Sequence, residues 1–145
     1  MVRLDNPEDV DIERVLAGPL TAHVATNGPS IRPVWFLWED QTFWWLTGEY
    51  SRLHKRLEHD PEVALAVDTY DLTTGEVIQI IAYGPAEVGP FQPDLARRKL
   101  RKYLGTDETR WDPRFSDIFD SPDEQGFVRL APRTMRARDL SFRPT

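Results

Sequence analysis

The chain has 145 residues, no cysteine and a formal net charge of −6, with an isoelectric point near 5.0. That length suits one domain over residues 1–145. The missing cysteine excludes disulfides and thiolate metal sites, and the acidic balance argues against nucleic acid as a partner. No apolar run approaches the ~20 residues of a membrane span. The acidic start MVRLDNPEDVDIE lacks the apolar segment of a signal peptide. A soluble cytoplasmic protein without membrane contact is expected.

The first element in chain order is a helix with Asn6 as N-cap and Pro7 in the first turn. Glu8, Asp9 and Asp11 sit at the positive end of its dipole, and Gly18 and Pro19 stop it. Leu20 to Thr26 reads as a strand with Leu20, Ala22 and Val24 inward, and Asn27-Gly28 signals a turn. The stretch from Ile31 to Thr47, IRPVWFLWEDQTFWWLT, holds Trp35, Trp38, Trp44 and Trp45, leaving Trp111 elsewhere. It reads as a hairpin folded across Glu39, Asp40 and Gln41, which makes the first three strands a meander. In its first arm Trp35 and Leu37 face one way, and Val34, Phe36 and Trp38 the other. Both faces are apolar, so both need cover. A barrel interior, a partner subunit and a flat ligand are the candidates.

Gly48, Glu49 and Tyr50 lead into a short helix from Ser51 to Glu58 with Leu53 and Leu57 on its buried face. Val63 to Tyr70 is a strand, Leu72 to Gly75 a turn, and Val77 to Tyr83 a strand of fully buried type. Pro85 to Val88 continues the sheet beyond Gly84 as an edge or bent strand. Pro93 to Leu104 is the clearest helix, with Ala96, Leu100, Tyr103 and Leu104 at helical spacing and Gly105 past its end. A shorter helix starts from Asp112 and Pro113, and Gly126 to Ala131 and Thr134 to Leu140 are strands. Short turns between strands favour an antiparallel sheet, and a sheet apolar on both faces favours closure into a small barrel. The fold class is mainly β with flanking helices (α+β).

The tryptophan cluster reads first as core and subunit contact and second as a wall for a planar ring. Ser51 caps a helix with Arg52 and Lys55 in its first turns. Either this is an anion site or it is a plain cap with solvated basic neighbours. A dipole end supplies ~0.3–1 kcal/mol and a charge-assisted hydrogen bond ~1.5–3, whereas micromolar binding needs ~8. A phosphate pocket of Thr47, Ser51, Arg52 and Lys55 is therefore marginal alone. A ring laid against the Trp hairpin brings binding within reach, which describes a nucleotide-like cofactor with a planar head. The run Arg97, Arg98, Lys99, Arg101 and Lys102 reads as a solvated outer face, or else as contact for an anionic tail. A second run, Arg129, Arg133, Arg136, Arg138 and Arg143, offers another local anion site. His23, His54 and His59 have no metal-ligand spacing. No phosphate-loop, dinucleotide or nucleophile-elbow motif occurs. With no evident nucleophile or general base, catalysis falls to a bound cofactor.

The succession LTAHVATNGPSIRPVWFLWED, FWWLTGEYSRL, LEHDPEVALAVD and AYGPAEV resembles the pyridoxamine 5′-phosphate oxidase-like superfamily of flavin-binding split β-barrels, from about Leu16 to Val88. The resemblance implies an antiparallel split barrel and a homodimer with cofactor sites at the subunit interface. It implies FMN or the deazaflavin coenzyme F-420 as cofactor, and an oxidoreductase acting on a small-molecule substrate, with a non-catalytic cofactor-binding or carrier protein as the alternative. Arg32, Pro33, Val34, Trp35 and Phe36 would back the ring, and Thr47, Ser51, Arg52 and Lys55 would hold the phosphate. Tyr50, Trp111 and Phe115 would wall the substrate side. Many relatives carry a lysine or arginine where this chain has Leu53.

Overall fold

The computed structural model describes residues 2–48 and 52–145. Its described strands are β1 (Arg3–Asp5), β2 (Thr21–Thr26), β3 (Ser30–Trp35), β4 (Leu37–Glu39), β5 (Thr42–Gly48), β6 (Glu62–Asp68), β7 (Ile78–Pro90), β8 (Gln125–Leu130) and β9 (Thr134–Asp139). They lie in the order β3-β2-β6-β7-β8-β5-β4, with β9 also on β7 and β1 parallel to β9. The mostly antiparallel sheet curls into a split half-barrel, flanked by α1 (Ile12–Ala17), α2 (Leu53–His59), α3 (Pro93–Leu104) and α4 (Pro113–Ser116).

Strand β7 joins the two halves of the sheet. Residues 79–85 pair with β6 and residues 86–90 with β8. The sequence splits this strand at Gly84, but the structure runs it unbroken. Gly84 is small because the β8–β9 connection crosses there: a Cβ would lie 3.0 Å from Arg133 N and 3.2 Å from Ala131 O. One core fills the barrel, with Leu16, Phe36, Phe43, Trp45, Leu65, Ile80, Val128 and Leu130 among its buried residues. A second, smaller core of Leu37, Leu95, Ala96 and Phe127 lies beneath α3, with Trp44 and Phe119 packed against it.

Three expectations need correction. The Trp ribbon is not one hairpin, and the first three strands are not a meander. Only residues 37–39 pair with β5, whereas β3 pairs with β2 at the far end of the sheet order. The chain changes sheet at Phe36 because α3 takes the place of a strand partner there. The Phe36 N–H donates to Tyr103 Oη (3.0 Å), and its carbonyl accepts from Lys102 Nζ (3.0 Å). Part of the cover for the ribbon comes from this chain's own α3 and the segment after it, where Trp35 stacks on Tyr103 and Phe115. The two-residue turn at Asp40 and Gln41 has φ of 53° and 54°, as a tight hairpin of the primed type requires.

The first helix begins later than Asn6 and Pro7 suggest. Asp11 is its cap, accepting from Arg14 N, while the Asn6 side chain closes a local loop by bonding Val10 N–H (2.8 Å) and C=O (2.9 Å). Strand β1 has no counterpart in the sequence reading, because three exposed residues carry no alternation to detect.

At the far end, Gly75 (φ 74°) lies against the C-terminal segment, and a Cβ there would fall 1.9 Å from the Phe142 carbonyl oxygen. The Phe142 N–H bonds Gly75 O at 2.9 Å. Gly75→Ala must therefore displace that segment as well as strain the turn. A loss of about 1–3 kcal/mol is expected, measurable by urea denaturation, whereas Gly89→Ala meets nothing within 4 Å.

Candidate functional site

A cleft opens where β2, β3, β5 and α2 meet. Val24, Val34, Trp45 and Leu53 form its apolar side, and Thr26, Ser30, Arg32, Arg52 and Arg56 its polar side. Helix geometry explains the arginines. Leu53 and Leu57 anchor α2 to the core, and at 100° per residue Arg52 and Arg56 follow one another along the flank that faces the cleft. The β2–β3 turn brings Ser30 and Arg32 across from Thr26 and Val24, since Val24 pairs with Arg32 and Thr26 with Ser30.

The electrostatics of this lining are one-sided. Three arginines reach it and, among the described residues, no carboxylate does, in a chain whose net charge is −6. Several arginines elsewhere are paired: Arg129 with Glu87, Arg133 with Glu62, Arg138 with Asp5, and Arg98 with Glu39 through two bonds of 2.7 and 2.9 Å. Among the described residues no carboxylate forms an ion pair with Arg52 or Arg56. Thr26 Oγ1 is buried without a hydrogen-bond partner at the same cleft. A buried hydroxyl left unpaired is uncommon and points to a missing polar group. The cleft thus offers cations, a waiting hydroxyl and an apolar wall, but its described lining contains no histidine, lysine, tyrosine, aspartate or glutamate to act as acid or base.

The residues singled out in the sequence separate into groups. Arg32, Val34 and Arg52 line the cleft. Trp35 instead stacks on Tyr103 (centroids 4.5 Å apart) and Phe115 (5.3 Å), and Phe36 is fully buried in the barrel. Pro33 is exposed on edge strand β3. Thr47 is buried, with an unpartnered Oγ1, beside a different hollow shared with His54, Gln125 and Gly126. Lys55 lies on the outer side of α2 with Asn27 and His59. Ser51 and Tyr50 fall outside the described residues. Trp111 is buried, donating from Nε1 to Gly105 O (3.0 Å).

Sequence reasoning missed Thr26 and Arg56, and named Trp45 only as one of the tryptophan cluster. Inward alternation through Ala22 and Val24 continues to Thr26. Measured from the mid-line of Leu53 and Leu57, Lys55 falls about 180° away and Arg56 only about 80°. The basic helix is also corrected: Lys99 and Lys102 turn inward from α3. Lys102 Nζ donates to Leu16 O (2.8 Å) and lies 3.7 Å from the Phe36 ring centroid, and Lys99 is 5% exposed. Among the described residues no group of three or more His, Asp or Glu side chains could hold a metal ion. No described helix is long and apolar enough to cross a membrane.

No curated protein sequence matches the chain. Among solved structures it is similar to the conserved hypothetical protein Rv2991 of Mycobacterium tuberculosis, at 22% identity and TM-score 0.69 over 91% of this chain and 84% of that one. The flavocytochrome Anf3 of Azotobacter vinelandii gives 21% and 0.64 over 92% and 67%. An F-420 reductase gives 15% and 0.59 over 87% and 96%. At these identities the likeness shows the fold, a split barrel shared by all three. Residues 10–136 match the family model described as pyridoxamine 5′-phosphate oxidase, and the chain belongs to that family.

Proposed function

We propose that this chain is an oxidoreductase that holds FMN, or the deazaflavin coenzyme F-420, in the cleft between β2, β3, β5 and α2. It moves a hydride to or from a small organic substrate. The observation that carries this reading is the described lining: the guanidiniums of Arg32, Arg52 and Arg56 beside an unpartnered Thr26 hydroxyl and the apolar surface of Val24, Val34 and Trp45. Arginines and a hydroxyl suit a phosphate, and the apolar wall suits a flat ring. Arg32, Arg52 and Arg56 would hold such a group, which when bound supplies the hydride chemistry the side chains lack. Relatives of this fold that are named a flavocytochrome and an F-420 reductase support the cofactor class.

A second copy of the chain belongs to the proposal. The cleft encloses only about 30 Å³, against roughly 300–1,000 Å³ for a ligand pocket. Its lip is the edge strand β3, where Ile31 is 71% exposed. A homodimer covering that lip would complete the pocket.

Titration with FMN and then F-420, read by quenching of cofactor fluorescence, is expected to give about micromolar or tighter affinity for one of them. Quenching of neither overturns the proposal. A carrier without turnover is the second reading, favoured by the absence of an acid or base from the described lining. It predicts tight binding with no oxidation of the reduced cofactor above background across a broad acceptor panel.

A further inference from the structure

We infer that the hollow at the end of β5, on the flank of α2 away from the arginine cleft, is a binding site for a small organic cation with an ammonium or guanidinium head. The site stands on its own residues. That its occupant is the substrate meeting the cofactor rests on the cleft proposed above.

Helix geometry sorts the charge. From the mid-line of Leu53 and Leu57, Arg56 lies about 80° to one side and His54 about 80° to the other, so α2 separates two sites of opposite character. His54 lines a hollow of about 220 Å³ whose other charged residues are Asp123 and Glu124, and no described lysine or arginine lines it. Neither carboxylate forms an ion pair among the described residues. Both are exposed, and exposed carboxylates are weak partners that do not make a site alone. The floor supplies what they lack. Thr47 lines the hollow, is 4% exposed, and its Oγ1 has no hydrogen-bond partner. A buried hydroxyl left without a partner marks the place of a missing polar group. Beside it β7 is bare at Gly89, where a Cβ would meet nothing within 4 Å, so the strand faces open space.

Gln125 adds an amide to the lining. Carboxylates, a hydroxyl and an amide oxygen all accept hydrogen bonds, which suits a group that only donates: an ammonium or a guanidinium. Among the described residues no group of three or more His, Asp or Glu could hold a metal ion, which favours an organic cation over a metal. The net charge of −6 draws such a ligand to the chain. The hollow also adjoins the cleft. Thr47 and Trp45 are two residues apart on the buried face of β5, about 7 Å along the strand, and Leu53, which lines the cleft, precedes His54. An anionic cofactor in the cleft and a cationic substrate in the hollow would attract one another.

The test titrates n-butylammonium chloride into the isotope-labelled chain without flavin and follows backbone amide resonances, with 1-butanol, sodium butyrate and magnesium chloride as comparison probes. Butylammonium is expected to give saturable shifts at Gln125 and Gly126 with a Kd of about 1 mM, weakening as sodium chloride is raised, while butanol and butyrate give none. Gly89→Val fills the open space with a side chain that suits a strand, so it should abolish the response and leave the melting temperature unchanged. Thr47→Val removes the hydroxyl at nearly constant shape. Affinity should fall about 3- to 10-fold while the melting temperature rises, because an unpaired buried hydroxyl is lost; a hydroxyl serving only the fold would lower it. Asp123→Asn combined with Glu124→Gln should weaken binding about 10-fold. If the chain quenches neither flavin, yet the butylammonium response is present and is lost in Gly89→Val, the cofactor proposal falls and the cation site stands. The inference is overturned if butylammonium gives no saturable shift at these amides, if butanol or butyrate matches it, or if magnesium binds there more tightly. It is equally overturned if Gly89→Val, Thr47→Val or the paired carboxylate variant leaves the affinity unchanged.

Discussion

Replacing Phe36 with alanine is expected to remove about 3–5 kcal/mol of folding stability and lower the melting temperature by roughly 10–15 °C. The ring is fully buried, packs edge-on to Phe43 with centroids 5.6 Å apart, and carries the Lys102 ammonium 3.7 Å from its centroid. Truncation leaves a cavity at the point where the chain passes from β3 to β4. It also strips a half-buried cation of its aromatic partner, while the two carbonyls that bind Lys102 remain. The same change at Ile31, which is 71% exposed, should stay within about 0.5 kcal/mol. Urea denaturation followed by tryptophan fluorescence measures both. A loss below about 1.5 kcal/mol at Phe36 would mean that the sheet crossing is not held by packing.

That crossing also marks where the sequence stops being legible. Apolar alternation through Val34, Phe36 and Trp38 is the same whether one strand continues or one sheet ends and another begins. What decides the matter is Tyr103 and Lys102, more than 60 residues away, capping the Phe36 peptide groups. Long-range hydrogen bonds of this kind leave no periodic trace. Helix α3, by contrast, begins and ends where Pro93 and Gly105 place it, because backbone chemistry alone sets those limits. Strands β2, β6, β8 and β9 fall within a residue or two of their expected bounds for a similar reason: each alternates and is bounded by turn residues. At the cleft, Arg32, Val34 and Arg52 were legible as candidates. Arg56 was hidden by reading residue type ahead of helical angle, and Thr26, read as the last residue of its strand, by following the inward face only as far as Val24. Lys99 shows the same error in reverse. Its spacing from Ala96 and Tyr103 puts it on the buried face, and only its charge argued otherwise.

Lys99 carries the second large effect. It is 5% exposed and makes no hydrogen bond to a described residue, and burial pushes its ammonium down to about 8. The folded state therefore resists protonation that the unfolded chain accepts up to the ordinary lysine value. Below about pH 8 both states are charged and the full penalty acts against folding. Between about 8 and the ordinary value of 10.5 the folded state releases the proton first, the unfolded state binds more protons, and stability rises with pH. Lys99→Met removes the charge and keeps the length, so it should stabilise the protein by about 1–3 kcal/mol at pH 7. The gain should shrink steadily as the pH passes from 8 to 10.5. Tyr103, pushed up to about 12 by burial, acts oppositely: above pH 10 the unfolded tyrosine ionises first and both proteins lose stability together. The tyrosine cancels in the difference between wild type and variant, which then reports Lys99 together with its repulsion of Lys102. Paired urea denaturation curves from pH 6 to 11 would show a pH-independent difference, or a destabilised variant, if Lys99 were paid back by an interaction that needs its charge. Lys102 titrates in the same range: burial, and then repulsion from Lys99, push its ammonium down to about 8 although two carbonyl oxygens and the Phe36 ring lie against it.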